Sequence, residues 1–137
     1  MPDEDEHSLT RVLALDYGRA RCGCALSDPT GTIATPLDVI TDPASDEGVN
    51  AIARLVDEEG VTAVVVGLPV TLSGEEGAQA KEALAFAKQL EAAVPVPVET
   101  YDERFTTKLA AGSGGEAPED SRAAAHLLES YLRARSR

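Results

Sequence analysis

Apolar residues recur along this chain in two rhythms. Runs at 12–15, 22–26 and 61–66 read as strands, and VTAVVV is the strongest, marking the centre of a sheet covered on both faces. Elsewhere the spacing is helical. Val49, Ile52, Ala53, Leu55 and Val56 fit one face of a helix from Ser45 to near Gly60. Ala80, Ala83, Leu84, Ala87 and Leu90 form the inner face of a second helix that begins near Ser73, where Ser73 and Glu76 make a capping box. Gly74 and Gly77 could also be read as a phosphate cradle, but Glu75 and Glu76 would repel phosphate there, which favours capping. A final helix over 120–135 carries Ala124, Leu127, Leu128 and Tyr131 as its stripe. Asp120 continues that stripe, so its carboxylate is expected to point inward.

Turn residues divide these segments. The first strand, 11–16, ends at Asp16, and Gly18 lets the chain turn by accepting a positive φ before the second strand, 21–27. Asp28-Pro29-Thr30-Gly31 has the chemistry of a tight turn. A third strand spans 32–40, with Pro36 placing it at an edge. A fifth strand, 96–101, delivers Asp102, Glu103 and Arg104 at its end, and a short helical turn follows at Thr106–Lys108. Gly112 to Pro118 reads as a mobile link. The order β-β-β-α-β-α-β-α predicts an α/β fold: a five-stranded mixed sheet in the order 3-2-1-4-5 with helices on both faces.

Composition adds limits. At 137 residues, 43% of them hydrophobic, the chain suits one domain over 10–137, behind an acidic tail at 1–9 that is expected to be disordered. No apolar run approaches membrane-spanning length and no secretory signal is visible, so the expected location is the cytoplasm, away from membranes. Cys22 and Cys24 read as small, buried, reduced residues. The net charge of −12 argues against non-specific affinity for phosphate backbones, although Arg19, Arg21, Arg104, Lys108 and Arg122 all lie close in sequence to the acids of interest. Only Tyr17, Tyr101 and Phe105 could offer stacking surfaces there.

In the predicted sheet, Asp16 and Asp102-Glu103 end on one rim, where open α/β sheets bind ligands, and Asp120 joins them from the last helix. Asp16 has two readings, the start of a turn or a cation ligand, and Asp120 likewise reads as a helix cap or a ligand. Converging carboxylates repel unless a cation sits between them. Hard divalent ions suit oxygen ligands, and two of them can clamp an in-line displacement at phosphorus. The chemistry that follows is metal-dependent phosphodiester hydrolysis.

The segments LALDYGRARCGCALSDPTGTIATPL, VVVGLPVTLSGEEGAQAKEALAFAKQL, TYDERFTT and DSRAAAHLLESYL resemble the YqgF family, whose members are described as Holliday junction resolvases or pre-16S rRNA nucleases with an RNase H-like fold. The likeness runs from Leu13 to Leu132. It implies that Asp16, Glu103 and Asp120 are catalytic metal ligands for Mg²⁺ or Mn²⁺, two ions in all, with Asp102 next in line. It also implies a nucleic-acid substrate, either pre-rRNA or branched DNA, and an association with ribosomal precursor particles as monomer or homodimer. One departure stands out: the stretch after Lys108 is shorter than is usual in the family and lacks further bases. His126 lies off the face of Asp120, and His7 belongs to the tail, so neither is assigned a role. The rival readings are a weakly catalytic RNA- or protein-binding ribosome-assembly factor and an ATPase of the actin and Hsp70 type. The latter needs a far longer chain.

Overall fold

The computed structural model describes residues 10–70, 77–106 and 117–135. Strand β1 (Val12–Asp16) pairs antiparallel with β2 (Arg21–Ser27) and parallel with β5 (Ala63–Leu68), while β6 (Val98–Asp102) runs parallel to β5 at one edge. At the opposite edge, two short pieces, β3 (Ala34–Pro36) and β4 (Ile40–Thr41), both pair antiparallel with β2. Helices α1 (Asp46–Glu58) and α2 (Ala78–Glu91) cover one face, and α3 (Glu119–Arg135) covers the other. This is the mixed α/β sheet expected, with β3 and β4 in the place of the third strand.

Side-chain alternation explains the unbroken apolar runs. Leu13, Leu15, Cys22, Cys24, Val64 and Val66 pack toward α1 and α2, whereas Val12, Ala14, Ala25 and Val65 pack toward α3. Both cysteines are buried and free, as expected. Phe86, absent from the expected inner face of α2, is fully buried and stacks on Tyr17 at 4.6 Å. Ser45 caps α1, accepting from the Gly48 N–H at 3.0 Å.

The structure corrects several local expectations. The third strand is broken. Pairing passes from Ala25–Pro36 to Cys22–Ile40, three steps along β2 against four along the outer piece, so one extra residue is taken up as a β-bulge. Pro36 gives no N–H to the ladder. The Leu37 N–H still reaches the Cys24 carbonyl at 2.8 Å, but the Cys24 N–H, which a regular pair would return to Leu37, donates to Ser121 Oγ at 3.2 Å. Gly18 turns the chain without a positive φ, and glycine matters there because a Cβ would stand 2.6 Å from the Arg21 carbonyl oxygen. Helix α2 opens at Ala78, behind Gly77, not near Ser73. An unexpected 3₁₀ turn spans Glu103–Phe105, capped by Asp102, which accepts from the Arg104 N–H at 2.9 Å, and the helical turn expected at Thr106–Lys108 lies, beyond Thr106, outside the described residues. The tail 1–9, the Ser73–Glu76 box, Lys108 and all but the end of the 112–118 link lie outside the described residues. Among the described residues, no helix is long and apolar enough to cross a membrane.

Candidate active site

A row of four residues crosses the sheet at the carboxyl end of β1. Asp16 pairs with Gly23 on β2, extending the Leu15–Val66 register by one residue brings Gly67 of β5 beside Asp16 on its other side, and Gly67 pairs with Tyr101 of β6. All four belong to the face that α3 covers. Asp16 is therefore flanked by two positions without side chains, and each gap is filled from outside the sheet. A Cβ at Gly23 would lie 1.9 Å from the Asp120 carbonyl oxygen, so this glycine lets the first turn of α3 sit directly on β2. A Cβ at Gly67 would lie 2.5 Å from Glu103 Oε2, so that gap receives the Glu103 carboxyl. Glycine inside a buried strand signals such a close approach, and CGC and VVVGLP carry that signal in the sequence.

Asp16 and Glu103 are thereby brought together. Burial, then the charge of Asp16, then a hydrogen bond to Asp16 push the Glu103 carboxyl up to about 7. The two share a cleft of about 440 Å³ with Tyr17, Gly18, Arg19, Pro69, Gln79 and Glu82. They also share a second hollow of about 270 Å³ with Thr106, Ala123, His126 and Leu127. His126, which the sequence reading left without a role, thus reaches the site. Ala123, His126 and Leu127 sit at adjacent-turn spacing, a signal that could have placed it there. Thr106 Oγ1 and His126 Nδ1 are buried without a hydrogen bond, the latter 3.7 Å from Glu129 Oε1.

The remaining sequence-nominated acids are engaged elsewhere. Asp120 is half-buried at the margin of α3, not turned inward, and its Oδ2 lies 2.9 Å from Arg21 Nε. The inward residue of that turn is Ser121, which is fully buried. Asp102 takes the Arg104 guanidinium through both carboxylate oxygens at 2.6–3.1 Å, and hydrogen bonding to Arg104 holds it below the usual carboxylate range. Arg19 pairs with Glu82 at the cleft. Arg122 belongs to α3, with its Nε buried.

Two carboxylates held side by side, with only oxygen donors, are the donor chemistry of a hard divalent cation, so Asp16 and Glu103 fit such an ion. Among the described residues, no group of three or more His, Cys, Asp or Glu side chains is gathered to hold a metal, so Asp120 is not part of a closed set in this arrangement.

The model of the family described as RuvX: Holliday junction resolvase matches residues 10–134. Curated relatives carrying the name "Putative pre-16S rRNA nuclease" include one from Chloroflexus aurantiacus, 41% identical over 90% of this chain and 87% of its own length. Another, from Mycobacteroides abscessus, is 40% identical over 99% of this chain and 89% of its own. Among solved structures, the T. thermophilus RuvC in complex with Holliday junction substrate matches with a TM-score of 0.64 at 18% identity, covering 93% of this chain and 96% of that one, a likeness of fold.

Proposed function

Since the chain belongs to the RuvX family of Holliday junction resolvases, a family of nucleases, we propose that it is a metal-dependent endonuclease that cleaves phosphodiester bonds in structured nucleic acid, and that its substrate is precursor 16S rRNA, trimmed toward the 5′ end. The observation that carries this reading is the Asp16–Glu103 pair, seated between Gly23 and Gly67 on the carboxyl rim of the sheet. The choice of RNA follows the names of relatives about 40% identical.

Asp16 and Glu103 would hold the ion, with Asp120 joining when it leaves Arg21. A divalent ion such as Mg²⁺ or Mn²⁺, or a pair of them, supplies charge stabilisation to an in-line displacement at phosphorus. The protein's own contribution is positional. The Gly67 gap fixes Glu103 beside Asp16, Tyr17 stacked on Phe86 walls the cleft together with Arg19, and Arg21 and Arg104 lie outside its lining on the same rim of the sheet, where guanidinium groups can take phosphate oxygens in exchange for their carboxylates. Branched DNA is the second reading, favoured by the family description and by the fold shared with a junction-bound RuvC.

The test incubates wild type and Asp16→Asn with labelled precursor 16S rRNA and with a four-way DNA junction, in Mg²⁺ or Mn²⁺. Cleavage of the RNA that Asp16→Asn abolishes while binding survives is expected. Cleavage of the junction alone would move the substrate to DNA, and cleavage of neither by wild type would end the nuclease reading.

A further inference from the structure

We propose that Phe105 is a stacking platform for one unpaired base of the strand held at Asp16 and Glu103, so that the site takes substrates with a single-stranded or splayed nucleotide beside the bond that is cut. This deepens the nuclease reading and rests on it.

Among the described residues, Phe105 and Ile33 are the large apolar side chains left exposed, at 62% and 63%. A single exposed apolar residue is ordinary. Ile33 sits at the turn leading to β3, the edge of the sheet opposite β6. Phe105 is placed differently. It closes the 3₁₀ turn that Glu103 opens, two residues from the carboxyl pressed against Asp16. Its ring stands edge-on to Tyr101 at 6.4 Å, and Tyr101 belongs to the same row across the sheet as Asp16 and Gly67. Tyr101 is in turn edge-on to Tyr131 at 5.9 Å, whose hydroxyl donates to Glu99 at 2.9 Å. The Arg104 guanidinium lies 5.7 Å from the Phe105 centroid, and both Asp102 oxygens hold that guanidinium in place. The ring is therefore braced from the core outward while remaining open to solvent, and a base that stacks on it would cost little ordering.

Charge explains why the site would need such a surface. The chain carries −12, and at the rim Arg19, Arg21 and Arg104 are each paired with a carboxylate, so attraction to phosphates is weak and another contact must supply affinity. Base–aromatic stacking is independent of sequence and of net charge. The surroundings also favour a base over a protein partner, because the three residues before Phe105 are the charged Asp102, Glu103 and Arg104, and among the described residues the other exposed large apolar side chain, Ile33, lies toward the opposite edge of the sheet.

The test compares wild type, Phe105→Ala, Phe105→Leu and Phe105→Trp in Ca²⁺ with two probes of one sequence. One is a single-stranded RNA carrying the fluorescent adenine analogue aminopurine, and the other is the same RNA as a duplex. Single-strand affinity should fall about 5- to 100-fold in the Ala and Leu variants, hold in the Trp variant, and be accompanied by aminopurine quenching only where an aromatic ring is present. Duplex affinity should not change, and all four proteins should melt alike because the ring is exposed. Binding by the Leu variant equal to wild type, or an equal loss with the duplex, would overturn the platform. Cleavage by wild type with unchanged Phe105→Ala affinity would overturn it and leave the nuclease standing. Quenching by wild type without any cleavage would do the reverse.

Discussion

Arg21 Nε lies 2.9 Å from Asp120 Oδ2, although the two stand 99 positions apart in the sequence. The pair joins the start of β2 to the first turn of α3 at the margin of the carboxylate site. Both side chains are partly exposed, so the bond adds little stability, about 0–1 kcal/mol. Its interest is that it occupies an acid nominated as a metal ligand. Arg21→Ala should change unfolding free energy by less than about 1 kcal/mol, yet increase the rise in melting temperature that Mg²⁺ produces. Asp120→Asn should reduce that rise. Thermal melts with and without Mg²⁺ read both, and identical metal-induced shifts in all three proteins would remove Asp120 from the metal site.

A second expectation concerns pH. Burial and Asp16 raise the Glu103 carboxyl to about 7 from an ordinary value near 4.5. The folded protein therefore binds the proton more tightly than the unfolded chain does. Glu103 costs nothing below about pH 4.5, costs progressively more up to pH 7, and reaches its full penalty above that. Glu103→Gln should accordingly stabilise the metal-free protein at pH 8 by about 1–2 kcal/mol, after discounting for partial exposure, and leave it unchanged at pH 4. Urea unfolding at the two pH values checks this, and an equal effect at both would show that packing rather than titration is responsible.

The two glycines beside Asp16 should respond differently to one substitution. At Gly23 the new methyl meets the Asp120 backbone, which can move only with α3, so Gly23→Ala should cost on the order of 3 kcal/mol or more. At Gly67 it meets the end of the flexible Glu103 side chain, so Gly67→Ala should stay within about 1 kcal/mol of wild type while displacing that carboxyl. Nuclease activity of the folded Gly67→Ala protein should drop by about 10-fold or more. Denaturant melts and cleavage assays on the same samples separate the two effects.

Ser121→Ala offers a test of the bulge. Its hydroxyl is fully buried and accepts the Cys24 N–H that the broken third strand leaves behind. Without it a buried donor loses its partner, at about 1–3 kcal/mol. Hydrogen exchange at Cys24 should quicken in the variant, whereas a rate equal to wild type would mean that another acceptor takes over.

Much of this arrangement could be read from the sequence because its causes are local. Runs of Val, Leu and Ala buried on two faces reveal the central strands, and the position of Asp16 after one such run places it on the rim. What stayed hidden depends on contacts between distant segments. Residues 32–40 look like one strand because a one-residue bulge changes pairing, not composition. The arginines look available because no spacing rule shows that Arg19 meets Glu82 or that Arg21 meets Asp120. Gly23 and Gly67 were readable in principle as places where another group comes close, but not which group.

Helix α3 lies after every strand it covers, and among the described helices it is the one that shields Val12, Ala14, Ala25 and Val65. As the chain emerges during synthesis, the strands must wait with that face bare until the helix docks, a state exposed to aggregation. The same docking brings Ser121 to Cys24, Asp120 to Arg21 and His126 toward Asp16. Core closure and completion of this carboxylate-lined hollow are therefore one event, and a half-made chain would have neither a finished fold nor the hollow's outer wall.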